Sequence, residues 1–299
     1  MELGPALLER FQGDVVASPY SLARALDVVR AGATGETRRA LDDLLGEPTP
    51  EVGGLELAQA AWLAEGYAPG PALALDTGPL DADAVNAWAA EKTHGMIRQI
   101  VDRFEPDEKL AITDAIYFEG TWKRPFKVVG PHPFEGAGEC TMMTLSGEFS
   151  IADDAVRLPY GHGDLRFVAM LGETFRRDLQ WRPGEGTVEL PRFSAESKLD
   201  LDDVLPAVVF TPGGDLENLF TGPGAKALSR ILQRARVDLD EIGTKAAAVT
   251  AVMARAVSYM AREPFHIVFD RPFTWAIEHA PSGTLLFVGR VLHPTERSD

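Results

Sequence analysis

Residues able to do acid–base, nucleophilic or metal chemistry are present in this chain, but their spacing assembles no familiar constellation. The histidines His94, His132, His162, His266, His279 and His293 contain no pair three or four apart, the spacing that sets two imidazoles on one helix face for zinc. Gly161-His162-Gly163 has no third glycine and no helix after it, so it cannot cradle a pyrophosphate. No Gly-rich loop ends in Gly-Lys-Ser/Thr. Ser146-Gly147 lacks the glycine two before the serine that a strained nucleophile turn needs. Asp153-Asp154 and Asp202-Asp203 are adjacent pairs, whose side chains diverge on a strand or helix and read as solvated loop acids. Cys140 is the single cysteine, which excludes an intramolecular disulfide and a thiolate cluster. Neither a cofactor nor a metal is expected, and an enzyme has no residues to stand on.

Residues 241–263 offer a different chemistry. They read EIGTKAAAVTAVMARAVSYMARE, without proline. As a helix, Ala246 to Val257 has good propensity, with alanine at half of its positions. As a strand, one face carries Thr244, Ala246, Ala248, Thr250, Val252 and Ala254, all small. The other carries Lys245, Ala247, Val249, Ala251, Met253 and Arg255. Such a segment, with every backbone N–H free, suits sliding between two existing strands. Periodicity leaves both the surface helix and the insertable strand open.

The elements around this segment read as a mixed α+β chain. Ser18-Pro19-Tyr20-Ser21 opens a helix closed by Gly32, and Thr34 caps a second one from Gly35 to Leu45, stopped by Gly46. Residues 47–54 form a loop, Leu55 to Leu63 a strand, and 66–80 an irregular stretch. Asp81 caps a helix ending near Gly95, and Leu110 to Glu119 is a buried strand. Short strands alternate with turns from 126 to 193. Leu199 to Leu205 reads as a short helix, and Leu228 to Leu239 fits either a strand or a helix. The end is β, with a Pro281-Ser282-Gly283 turn. No repeat or linker divides the 299 residues, so one domain is expected.

The net charge of −16 repels a phosphate backbone, so nucleic acid is not an expected partner. No apolar run is long enough to span a membrane. The start MELGPALLERF lacks the basic region, apolar core and cleavage site of a signal peptide. Cytoplasmic residence is the expectation, with release from the cell left open.

Glu241-x-Gly243-Thr244-x-Ala246-Ala247-Ala248-x-Thr250 resembles the hinge of a serpin reactive-centre loop. Further serpin-like stretches follow in order. Ser18-Pro19-Tyr20-Ser21 with Gly32-Ala33-x-Gly35-x-Thr37 resembles the family's second and third helices. Val85-Asn86-Ala87-Trp88 with Thr93-His94-Gly95-Met96-Ile97 resembles its sixth. Asp114-Ala115-Ile116-Tyr117-Phe118-x-Gly120-x-Trp122-x-x-Pro125-Phe126 resembles the central strand of its large sheet. Arg271-Pro272-Phe273 and Gly283-Thr284-x-x-Phe287-x-Gly289-Arg290-Val291-x-x-Pro294 resemble its C-terminal signature.

The resemblance implies three sheets with surrounding helices and an exposed loop over about 241–263. It implies a covalent complex with a serine protease, formed when the cleaved loop inserts into the large sheet and drags the protease away. It places Trp122 where the loop enters, and Ser18, Ser21, Asp114 and Gln233 where the sheet opens. The serines equally suit a plain helix cap. Asp114 and Gln233 stand where the family commonly has asparagine and histidine; the amide still bonds the carboxylate, but burial penalises its charge. Counting to the fourteenth residue from Thr244 puts the attacked bond at Val257–Ser258. A β-branched Val257 suits an elastase-like or subtilisin-like pocket; Arg255, Met260 and Arg262 are the alternatives. Members of the family are usually longer than this chain. The shortening falls at 47–54 and 66–80, where the fourth and fifth helices belong, and around 172–188. Without the fourth helix no glycosaminoglycan site is expected, and the chain is expected to act as a monomer. The competing reading is a serpin-fold binding module that inhibits nothing.

Overall fold

The computed structural model describes residues 3–53, 55–161, 163–211, 215–224, 227–244 and 263–296. These residues carry helices α1 (Leu3–Arg10), α2 (Pro19–Gly32), α3 (Gly35–Leu45) and α4 (Ala82–Lys92). The strands are β1 (Val15–Ala17), β2 (Glu56–Leu63), β3 (Ala68–Pro69), β4 (Asp76–Pro79), β5 (Leu110–Tyr117), β6 (Gly120–Thr121), β7 (Lys127–Phe134), β8 (Gly138–Ala152) and β9 (Ala155–Pro159). They continue with β10 (Leu165–Leu171), β11 (Arg182–Pro191), β12 (Phe193–Asp200), β13 (Phe220–Thr221), β14 (Arg230–Leu239), β15 (Gly243–Thr244), β16 (Phe265–Val268), β17 (Phe273–His279) and β18 (Thr284–Val291). They form three sheets, giving the α+β architecture expected.

The chain packs as two compact units. The first contains residues 3–10, 17–117 and 197–236. Its sheet runs β4-β2-β5-β14. β5 is buried at every position, which explains why its residues are apolar on both faces apart from Thr113 and Asp114. It pairs antiparallel with β2 and parallel with β14, where Arg230 to Arg236 face Ala111 to Tyr117. Helix α2 starts as its sequence dictates: Ser18 Oγ accepts from Ser21 N at 3.1 Å, and Pro19 occupies the first turn, where its missing N–H costs nothing. Helix α4 is capped by Asp81, which accepts from Ala84 N at 2.9 Å.

The second unit contains residues 11–16, 118–196 and the described part of 237–296. Its sheet follows the order β18-β17-β10-β9-β8-β11-β16, with β7 on β8. Its core stacks Phe167 on Trp275 at 5.5 Å and packs Phe193, Phe269 and Phe273 around them.

Several expectations are corrected. Thr34 holds the cap position of α3 but its side chain makes no capping bond. The Asp215 carboxylate takes that role, accepting from Glu36 N at 3.0 Å and Thr37 N at 3.1 Å. Gly35, at φ +56°, leaves room for it: a Cβ there would lie 2.3 Å from Asp215 Oδ1. The expected helix at Leu199 to Leu205 reduces to a single 3-10 turn, Asp202–Val204. The segment is tied to β14 instead, with Leu201 N donating to Ile231 O and Ile231 N to Asp202 Oδ1. The stretch 66–80 contains the short strands β3 and β4 rather than irregular chain only. Val15–Ala17, ahead of the helix opened at Ser18, is a strand. The open question at 228–239 resolves as strand β14.

Candidate functional site

Two groups of predicted residues come together, one in each unit. In the first unit, α2, β5 and β14 converge on a buried polar cluster of Ser18, Ser21, Asp114 and Gln233, each at most 1% exposed. Gln233 and Asp114 are register partners, and Gln233 Nε2 lies 2.9 Å from Asp114 Oδ2. The same amide nitrogen lies 3.0 Å from both Ser18 O and Ser21 Oγ, while Gln233 Oε1 accepts from Ser18 N at 2.7 Å. Ser21 Oγ donates to Asp114 Oδ2. Ser18 therefore caps α2 and binds β14 at once. Gln59 of β2, opposite Asp114, adds a donor to Ser21 O at 2.7 Å. Asp114 Oδ1 has no hydrogen-bond partner. Burial pushes the Asp114 carboxyl up to about 7, against the pull of Ser21 and Gln233.

In the second unit the described start of the predicted hinge, Glu241 to Thr244, is anchored. Asp240 closes a tight turn: its N donates to Gly243 O at 2.8 Å, and its Oδ1 accepts from Ile242 N at 2.8 Å and Gly243 N at 3.0 Å. Across this turn Leu239 of β14 faces Thr244 of β15. The other edge of β15 pairs antiparallel with β6, Gly243 opposite Thr121 and Thr244 opposite Gly120. The backbones approach so closely that a Cβ on Gly243 would lie 2.0 Å from Gly120 O. Thr244 is fully buried, and its Oγ1 lies 2.8 Å from Tyr160 Oη.

Trp122 holds this turn from beneath. Its Nε1 donates to Asp240 O at 2.8 Å and its backbone N to Ile242 O at 2.9 Å. Its ring stacks on Tyr160 at 4.7 Å and 6°. Burial pushes the Tyr160 phenol up, so it stays neutral and serves as a hydrogen-bonding hydroxyl. Glu241 backs the turn: its carbonyl accepts from Phe126 N at 2.8 Å, and its carboxylate lies 2.5 Å from Arg192 Nη2. That contact is an ion pair by distance and not an aligned hydrogen bond.

Ala246, Ala247, Ala248, Thr250, Val257 and Ser258 lie outside the described residues, as do Arg255, Met260 and Arg262. No group of three or more His, Cys, Asp and Glu among the described residues is placed to hold a metal ion.

The serpin (serine protease inhibitor) family model matches residues 72–294. The chain belongs to the serpin family. It is 28% identical to a leukocyte elastase inhibitor of Bos taurus, over 94% of this chain and 93% of that one. It is 26% identical to a plasminogen activator inhibitor 1 of Neovison vison, over 94% and 87%. Among solved structures, the thermophilic serpin tengpin in its native state superposes with a TM-score of 0.80 at 21% identity, covering 97% of this chain and 92% of tengpin. Thyroxine-binding globulin in complex with thyroxine superposes at 0.78 and 18%, covering 98% and 96%. Protease inhibition is the general function of this serpin family.

Sequence reading missed three residues of this serpin's site. Tyr160 sits in an ordinary strand-end Pro-Tyr-Gly and carries no local sign of its partner in β15. Arg192 and Asp240 look like surface charges until the fold brings them to Glu241 and Gly243.

Proposed function

We propose that this serpin is a suicide-substrate inhibitor of an elastase-like or subtilisin-like serine protease. The protease serine oxygen attacks the Val257 carbonyl carbon, the Val257–Ser258 peptide bond breaks, and the proton passes to the new Ser258 amine. Val257 is left as an ester on the protease. The freed segment after Thr244 then enters between β14 and β5 before water reaches that ester. The observation that carries this reading is Thr244, buried and paired on both sides while joined directly to β14. Insertion of about 12 residues adds about as many backbone hydrogen bonds, each worth about 1 kcal/mol net. A small inward face, Ala246, Ala248 and Thr250, lets insertion begin quickly.

The test is incubation with elastase-like and subtilisin-like proteases, read on a denaturing gel. A band near the summed masses supports trapping. Clean cleavage with full recovery of protease activity refutes it and favours the non-inhibitory binding module, the role that a thyroxine complex on this fold exemplifies. Mass spectrometry of the released C-terminal peptide then fixes the bond. A fragment beginning at Ser258 supports the count; one beginning at Ala256, Ala261 or Glu263 reassigns the target class.

A further inference from the structure

Among the described residues, β16 is the last strand of its sheet: it pairs only with β11, where Gly186 stands opposite Phe265. On its other side β11 pairs with β8, Gly184 opposite Phe149 and Gly186 opposite Gly147. Phe149 and Phe265 thus belong to strands two apart, about 10 Å between backbones. Their rings nevertheless meet edge to face, with centroids 5.8 Å apart at 74°. They meet because β11 carries no side chain between them. A Cβ on Gly186 would lie 2.6 Å from Phe265 Cδ1, and one on Gly184 would lie 3.3 Å from the same atom.

The Phe149 ring has a second neighbour. The Arg124 guanidinium carbon lies 5.4 Å from its centroid, within cation–π range. Arg124 Nη1 and Nη2 also lie 3.4 Å from the carbonyl oxygens of Ser146 and Glu148 respectively. Gly147 between them makes the room: at φ +150°, its Cβ would stand 2.1 Å from Arg124 Nη1. Arg124 itself sits between the two residues whose backbones hold the turn before Thr244, Trp122 N donating to Ile242 O and Phe126 N to Glu241 O. The stretch 122–126 therefore reaches both sides of the segment 245–262. It holds the turn through its backbone, and it reaches β16 through Arg124 and Phe149.

We propose that Arg124 is a positioning residue that couples the two anchors of the segment 245–262, so that loosening β16 also loosens the turn at 241–244. When β16 lifts, the Phe149 ring loses its edge-to-face partner and the guanidinium loses a fixed platform. The movement then passes along 122–126 to both backbone bonds of the turn. While β16 stays in place, both anchors hold and the span from Thr244 to Glu263 is fixed. A protease then meets a target segment whose two ends belong to one frame, a consequence that rests on the reading of 245–262 as the bait loop. A cation–π contact at a partly exposed site sets the size of the coupling, about two- to fivefold in an opening equilibrium.

The experiment is amide hydrogen exchange in the intact protein, read at 242–244 and at Phe265–Val268, in wild type, Phe265→Leu, Arg124→Ala and the double variant. Trapping of an elastase-like protease is measured in parallel. Phe265→Leu is expected to speed exchange in β16 and, through Arg124, to speed it at 242–244 by about two- to fivefold. In the Arg124→Ala background the same change is expected to leave 242–244 unmoved. A turn that ignores Phe265→Leu, or that responds equally with and without Arg124, overturns the coupling and leaves Arg124 a local packing role. Should Arg124→Ala not fold, Arg124→Met keeps the methylene stem without the charge, and the same comparison decides. The two readings fail separately. Coupled anchors in a protein that traps no protease sink the inhibitor and leave the coupling. Trapping with uncoupled anchors does the reverse.

Discussion

Gly243→Ala tests whether the paired start of the hinge matters. The added Cβ would stand 2.0 Å from Gly120 O and 2.8 Å from Thr121 Cα. Both are backbone atoms, so no rotamer change relieves the clash. The strands β15 and β6 must separate instead, although their register pairs only two residues. At about 1 kcal/mol net per backbone hydrogen bond, plus a weakened Thr244–Tyr160 contact, the loss is about 2–3 kcal/mol. At about 2–4 °C per kcal/mol, the melting temperature drops by about 4–12 °C. The second readout is the stoichiometry of inhibition, meaning inhibitor consumed per protease trapped. With Thr244 detached, insertion begins from a free end, more acyl-enzyme hydrolyses first, and the stoichiometry rises. Unchanged melting together with unchanged stoichiometry would refute both the packing and the role given to β15.

Cleavage of the intact loop raises the melting temperature if the segment after Thr244 inserts; calorimetry that finds the cut protein melting at or below the intact one denies insertion. Ala248→Glu turns the inhibitor into a substrate, because an unpaired carboxylate on the inward face costs several kcal/mol to bury; equal trapping by variant and wild type means that face is assigned wrongly. Asp215→Ala removes two backbone bonds at the start of α3 and lowers stability by about 1 kcal/mol in urea unfolding. The same change at Thr34, whose side chain makes no capping bond, has a smaller effect.

What was legible in the sequence was local. The cap at Ser18, the cap at Asp81 and the buried run of β5 each follow from residues within a few positions of one another. β14 was ambiguous for a physical reason. Its pattern Arg230-Ile231-Leu232-Gln233-Arg234-Ala235-Arg236-Val237 buries residues on both faces, Ile231 and Leu232 alike, so strict alternation is absent. The cap on α3 was invisible because Asp215 is 180 positions from Gly35. Tyr160 was invisible likewise, since its role exists only once Thr244 arrives above it, 84 positions on. The Asp114–Gln233 contact was reached by resemblance, and the structure adds what resemblance lacked: Ser21 and Gln233 share one carboxylate oxygen while the other is bare.

The strand directions give the hinge its consequence. β15 is antiparallel to β14 and to β6, which continues the chain just beyond β5. β5 itself is parallel to β14. A strand prolonged from Thr244 along β14 therefore runs antiparallel to both neighbours at once. It exchanges one parallel ladder for two antiparallel ones, and antiparallel pairing is slightly the more stable per residue. Under the proposed insertion, the parallel ladder of Arg230–Arg236 on Ala111–Tyr117 is the weaker arrangement that would be replaced. At its middle stand Asp114 and Gln233, hydrogen-bonded through Oδ2 while Oδ1 is buried without a partner. Strand direction and pairing thus both suit the proposed insertion, with Thr244 as its starting residue.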